Sequence, residues 1–254
     1  MLYSNANLDA GQWELWEYNF ASGEKKFLYA WRTQVAISKD GQQIAFQQLS
    51  LTNRDDIGIW IMNNDYSNPH RVLPGGLYPS FSPGGDRLAV MGNMEIYIVN
   101  SDSSGLRFLG PGEYPAWSPT DNRIAFRNCF GGDCGIWITD ADAGGRTRLT
   151  TGGSDGQPAW SPNGQKITFI SEEEGNFEIY VMNADGSGRK RLTNRPASDG
   201  LPVWSPDGNW IAWRSDDGGS WGIWVMRPDG SNQRRLFDAP VLPVWFFEKM
   251  AWRQ

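Results

Sequence analysis

The run Gln157-Pro-Ala-Trp-Ser-Pro-Asn-Gly-Gln-Lys-Ile-Thr-Phe-Ile170 recurs along the chain. Its counterparts are Tyr78-Pro-Ser-Phe-Ser-Pro-Gly-Gly85, Tyr114-Pro-Ala-Trp-Ser-Pro-Thr-Asp121 and Leu201-Pro-Val-Trp-Ser-Pro-Asp-Gly208, with a degenerate copy at Val35-Ala-Ile-Ser-Lys-Asp-Gly41. The reference serines, Ser38, Ser82, Ser118, Ser161 and Ser205, are spaced by 44, 36, 43 and 44 residues. A period of that length with several short strand patterns per unit predicts an all-β propeller.

Within the repeat that follows Gln157, Pro158-Ala-Trp160 reads as a short first strand. Ser161-Pro-Asn-Gly164 is a turn whose Pro presets φ and whose Gly accepts a positive φ. Lys166–Ile170 alternates as a second strand, Glu178–Met182 as a third, and Arg189–Thr193 as a fourth after the turn Asn183-Ala-Asp-Gly-Ser-Gly188. Each blade is therefore expected to hold four antiparallel strands. The chain starts with a third-strand and fourth-strand pattern, Glu14–Leu28, and ends with Leu242-Pro-Val-Trp245 and Met250-Ala-Trp252, which mirror Leu201–Trp204 and Ile211–Trp213. The expectation is a single domain over 1–254 with six blades. One is composite (12–29 plus 241–254, closed by N- and C-terminal strands), and five are continuous, at about 33–73, 77–109, 113–149, 156–192 and 200–236.

These elements, Trp-Ser-Pro-Asp-Gly, Ile-Ala-Phe/Trp, Ile-Trp-Val-Met and Ala-Asp-Gly-Ser, resemble the repeats of TolB-type propellers, also described as WD40-like or PD40 repeats. The resemblance covers nearly the whole chain. It implies a bacterial, six-bladed repeat protein whose motif is structural and marks no catalytic residue. The Gly-His and Trp-Asp dipeptides of true WD40 repeats are missing, and no counterpart of TolB's additional amino-terminal domain is expected within this sequence, so TolB's envelope role is not inherited automatically.

Bulk composition narrows the function. The net charge of −6 argues against sequence-independent binding of nucleic acid, which needs a concentrated cationic surface. There is no long apolar run, so no membrane insertion is expected. Met1-Leu2-Tyr3-Ser4 lacks the basic and apolar regions of a secretory signal. Cys129 and Cys134, in Cys-Phe-Gly-Gly-Asp-Cys, staple a hairpin loop if the compartment is oxidising; the compartment stays open, with periplasmic or extracellular favoured over cytoplasmic.

Spacing locates a working face. The first turn is constant, six residues from Ser161 to Ile167 and from Ser205 to Ile211, whereas the second-to-third-strand connection runs from eight residues (Leu88 to Ile96) to fifteen (Ile44 to Ile59). The connections between blades vary too. Both variable sets emerge at one end of an antiparallel blade, and insertions confined to one end mark a binding face. Its loops hold Asp55, Asp56, Glu113, Asp133, Asp155, Glu172, Glu173, Glu174, Asp199, Asp216 and Asp217 against Arg32, Arg54 and Arg195. That acidity reads either as a solvated surface or as a rim steering a cationic segment. The residues preceding each first strand, Gln34, Tyr78, Tyr114, Gln157, Leu201 and Leu242, are expected to ring the channel mouth and clamp a peptide. The binding set is thus Arg32, Gln34, Tyr78, Glu113, Tyr114, Asp155, Gln157, Glu172, Glu173 and Asp199. The basic clusters Lys25-Lys26, Arg146-Thr-Arg148, Arg189-Lys-Arg191 and Arg234-Arg235 fall on the outer strand, where charge blocks edge-to-edge pairing.

Catalytic chemistry finds little support. With His70 as the single histidine there is no Ser-His-Asp base near a nucleophile motif and no histidine metal site, and the Asp-Gly turns lack the later bidentate Glu of a calcium loop. No cofactor and no metal are expected. The reading is a monomeric, non-catalytic scaffold binding a protein or peptide, with two alternatives. One is a sensor or substrate-gating domain of a larger enzyme of the prolyl oligopeptidase type. The other is a lyase or glycosidase built on Asp155 and Asp199, which hold matching positions in neighbouring repeats.

Overall fold

The computed structural model describes residues 1–7, 9–50, 53–173, 175–239 and 248–253. Antiparallel sheets, the blades of an all-β six-bladed propeller, account for nearly all regular structure; the described helical segments are two single 3-10 turns, Arg54–Asp56 and Phe130–Gly132. The chain divides into two compact units, Met1–Gly110 with Pro240–Gln254, and Pro111–Ala239.

The first unit holds β1 (Leu2–Asn7), β2 (Gln12–Tyr18) and β3 (Lys25–Ala30) as one sheet, then β4 (Arg32–Ile37), β5 (Gln43–Gln48), β6 (Gly58–Asn63) and β7 (His70–Pro74). Its third sheet is β8 (Leu77–Phe81), β9 (Arg87–Gly92), β10 (Glu95–Asn100) and β11 (Arg107–Pro111). The second unit holds β12 (Glu113–Trp117), β13 (Arg123–Asn128), β14 (Gly135–Asp140) and β15 (Gly144–Arg148), followed by β16 (Gly156–Trp160), β17 (Lys166–Ser171), β18 (Glu178–Asn183) and β19 (Lys190–Arg191). Its last sheet is β20 (Asp199–Trp204), β21 (Ile211–Ser215), β22 (Gly222–Met226) and β23 (Arg234–Asp238).

The repeated residues explain themselves locally. The reference serine staples the first turn: the hydroxyls of Ser38, Ser82, Ser161 and Ser205 accept the backbone N–H five residues on, at 2.9–3.1 Å. The tryptophan before it tucks under the preceding sheet. Trp160 donates its indole N–H to the Ala116 carbonyl at 2.9 Å, and Trp204 donates to the Thr168 hydroxyl at 3.1 Å. A large apolar ring is thereby buried with its polar edge satisfied. Alternate strand residues fill the space between sheets, as with Ala116, Ala125, Ile136, Trp160, Ile167 and Phe169 in the second unit, and Ala36, Ile59, Ile61, Phe81 and Leu88 in the first.

The terminal blade differs from expectation. β1 fills the place beside β2 that the spacing assigned to Met250–Trp252, and Ala251 lies on β1's other edge, exchanging both backbone hydrogen bonds with Leu2 at 2.8 and 3.0 Å. The reason β1 escapes notice is its polarity: Ser4, Asn5 and Asn7 break the alternation, yet Ser4 is buried because its hydroxyl meets Thr33 Oγ1 at 2.8 Å. The strand expected at Leu242–Trp245 lies outside the described residues.

Candidate loop-end binding site

Gln34, Tyr78, Tyr114, Gln157 and Leu201 share one backbone conformation, with φ of 53°, 53°, 53°, 50° and 56°. At each, the first strand slips register against the second, between Thr33 and Ala36, Leu77 and Ser80, Glu113 and Ala116, Gly156 and Ala159, and Gly200 and Val203. A bulge of this kind takes a residue's N–H out of the ladder, and a buried N–H must find another partner. Gln34 Oε1 accepts the Tyr78 N–H at 2.7 Å, and Gln157 Oε1 accepts the Leu201 N–H at 3.1 Å. The glutamines therefore join consecutive sheets within each unit. Gln34, Tyr78, Gln157 and Leu201 are all buried, while Tyr114 is half-buried; Leu242 lies outside the described residues.

The charged members of the set divide similarly. In the first unit Arg32 lays its guanidinium over Tyr29 and Phe46, 3.7 and 4.5 Å from the ring centroids, donates to Gln48 Oε1 at 3.0 Å, and has its pKa lowered by burial. Lys249 donates to the Pro79 carbonyl at 2.7 Å, and burial brings its pKa down to about 8. In the second unit Glu113 pairs with Arg127. Asp155, with no exposed surface, receives Arg189 at 3.4 Å, and the same guanidinium binds Glu173 at 2.7 Å. Asp199 is 2% exposed; burial pushes its carboxyl up to about 7, the nearby Glu178 charge adding to the shift and the Ser215 and Thr193 hydroxyls opposing it. Glu172 is exposed, and its backbone N–H donates to Ser154 Oγ at 3.0 Å.

The sequence reading missed Glu178, the hub of this end. Its buried carboxylate accepts from Arg191 at 2.6 Å, from the Thr193 hydroxyl, from the Arg195 N–H at 3.2 Å and from Asn176 at 2.9 Å. Asn176 also donates to the carbonyls of Arg195 and Ala197, Ser198 N–H donates to Asp216 at 2.7 Å, and Arg195 pairs with Asp217. Arg127 donates to the Gly153 carbonyl at 3.3 Å. The connections at 149–155, 172–177, 193–198 and 216–220 are thus cross-linked into one surface on the second unit. The repeats alone do not single it out: the equivalent position is glycine at Gly58, Gly135 and Gly222 but glutamate at Glu14 and Glu95, and the partners that make Glu178 a hub lie in another connection.

Outer-strand arginines also reach this end. Arg148 pairs with Asp133 at 3.1 Å, Arg189 with Glu173, and Arg191 with Glu178. Cys129 and Cys134 are joined as a disulfide. Among the described residues no group of three or more His, Cys, Asp or Glu is placed to hold a metal ion, and no helix is long and apolar enough to cross a membrane.

The family profile described as TolB beta propeller domain (PD40) matches residues 109–240, just over half of the chain. The chain belongs to the TolB beta propeller family. Among solved structures, a protein assigned as TolB from Agrobacterium tumefaciens shares the fold at TM-score 0.77 and 21% identity, covering 94% of this chain and 90% of that one. TolB from Acinetobacter baumannii aligns at TM-score 0.79 and 20% identity, covering 94% of this chain and 64% of that one. The tricorn protease aligns at TM-score 0.70 and 19% identity over 95% of this chain and 26% of its own, and an oligogalacturonate lyase in complex with manganese at 0.63 and 14% over 94% and 73%. No curated protein matches. At these identities the likeness to TolB structures is one of fold.

Proposed function

We propose that this chain is a non-catalytic module that binds a protein or peptide through the loop-bearing end of the 111–239 unit. The observation that carries the reading is the cross-linked surface itself. Four irregular connections are tied to one another by polar side chains, the buried Glu178 and the half-buried Asn176 and Asp216 among them, instead of being left to move independently. Rigid loops on a packed scaffold are what a binding surface needs, because ordering them at the moment of binding would subtract from affinity. Glu172 is exposed, and Glu173 and Asp133, though each paired with one arginine, stay open to solvent, so with Tyr114 this end keeps an acidic, partly aromatic character that favours a cationic segment. Membership in the TolB family agrees with a protein partner in general terms.

The reading is tested by affinity capture from a lysate of the source organism, comparing wild type with a folded Glu172→Lys/Glu173→Lys/Tyr114→Ala variant. A protein retained by wild type and lost by the variant is the expected result. Equal retention by both would remove the loop end from the account.

A second reading draws on the tricorn match, of which this chain spans 26%: a sensor or substrate-gating module of a larger enzyme, using the same loops to sort substrates. The lyase alternative is not favoured, because Asp155 and Asp199 are buried and engaged within their own sheets.

A further inference from the structure

One side chain at the loop end of the second unit stands apart from the polar cross-links. Phe130 is 75% exposed, more than any other large apolar residue among the described ones. It opens the 3-10 turn Phe130–Gly132 in the connection from β13 to β14, and the Cys129–Cys134 disulfide closes that turn. The arm at Asp133 and Cys134 is braced by two side chains. Trp137 donates its indole N–H to the Asp133 carbonyl at 3.2 Å, and Arg148 holds both the Asp133 carboxylate, at 3.1 Å, and the Cys134 carbonyl. The Phe130 N–H is directed to Asn128 Oδ1 at 3.4 Å.

A single exposed apolar residue on a mobile loop is ordinary. A phenyl ring held out into water on a stapled, braced turn is pre-organised, and rigid aromatic side chains are the usual anchors of protein interfaces. The flank decides which kind of surface it meets. The charged neighbour is Asp133, whose side chain is 66% exposed, and the adjacent cation, Arg148, is committed to it. Interfacial membrane anchors surround their aromatics with Lys and Arg to meet anionic lipid; an acidic flank on a chain of net charge −6 does the reverse. A second copy of the same end would set acid against acid.

We propose that Phe130 is the apolar anchor of the binding surface, seating in an apolar pocket of a partner protein whose rim carries Lys or Arg opposite Asp133. This rests on the protein-binding function proposed above.

The experiment takes the protein captured by wild type, purifies it, and measures its affinity by calorimetry for wild type, Phe130→Ala, Phe130→Leu and the double variant Cys129→Ser/Cys134→Ser. Phe130→Ala is expected to weaken binding by about thirtyfold or more, the range of an interface hot spot. Phe130→Leu is expected to lose less, and the double serine variant to weaken binding several-fold through a looser turn. Unchanged affinity in Phe130→Ala would overturn the anchor while leaving the protein-binding reading intact. Phe130-dependent co-sedimentation with phosphatidylserine vesicles, or Phe130-dependent dimerisation in ultracentrifugation, would overturn the choice of occupant. Failure of the wild type to retain any protein would overturn the anchor and the binding function together.

Discussion

At Asp199 the fold keeps a carboxyl group out of water beside a second carboxylate, Glu178, and the consequence is a pH dependence that can be read in sign. Its pKa rises from 3.8 to about 7, chiefly because burial disfavours the charged form. The folded state therefore binds this proton more tightly than the unfolded chain, so the contribution is fully present below pH 3.8 and is lost as pH rises through about 7. Asp199→Asn, which mimics the protonated form, should raise the melting temperature at pH 8 and change it little at pH 4, as thermal unfolding across pH would register. At about 1.4 kcal/mol per unit of pKa, the effect at high pH amounts to a few kcal/mol. Gln157 makes a different demand. Its Oε1 pairs the Leu201 N–H that the bulge takes out of the ladder, so Gln157→Leu strands a buried donor and should cost about 1–3 kcal/mol in denaturant unfolding. Full retention of stability would mean that the N–H finds another acceptor.

Among elements, the connection into the third strand of each blade determines what the loop end can hold. Gly135 opens β14 with φ 149°, and a Cβ there would lie 2.1 Å from the Thr150 carbonyl oxygen, a backbone atom that cannot step aside. Glu178 occupies the equivalent place at the start of β18 and turns it into the hub for the 193–198 connection. Gly135→Ala should therefore destabilise severely, whereas Gly144→Ala, with nothing within 4 Å of its Cβ, should cost only the left-handed backbone penalty of about 1 kcal/mol. Comparable melting temperatures for the two would contradict this packing. The strands themselves were legible, since period-two alternation and Ser-Pro-x-Gly turns are local signals. β1 was not, because its buried Ser4 depends on Thr33, a partner twenty-nine residues away. The bulges at Gln34, Tyr78, Tyr114, Gln157 and Leu201 were illegible too: a positive φ at a non-glycine residue leaves no mark in composition, and Gln34, Tyr78, Gln157 and Leu201, expected to ring the channel mouth, are buried.

On the scale of the whole molecule, the repeat makes the fold legible and its departures make the site. Six sheets follow from a period near 44 residues, with the acidic loops and the basic outer strands readable as separate features. That they are partners was not readable, because Arg148, Arg189 and Arg191 are distant in sequence from Asp133, Glu173 and Glu178 and meet them only once the sheets form. The loop end is therefore a cross-linked platform in which part of the acidity is paired with arginine, while Glu172 and the open sides of Glu173 and Asp133 still face solvent. Exposed groups such as Glu172 and Phe130 rise from it. The measurement that tests this account most directly is hydrogen exchange of the chain alone and in complex with its captured partner. Protection on binding is predicted at 129–134, 149–155, 172–177 and 193–198, with the Ser-Pro turns at 161–164 and 205–208 unchanged. Protection confined to those turns or to the outer strands β15, β19 and β23 would contradict it.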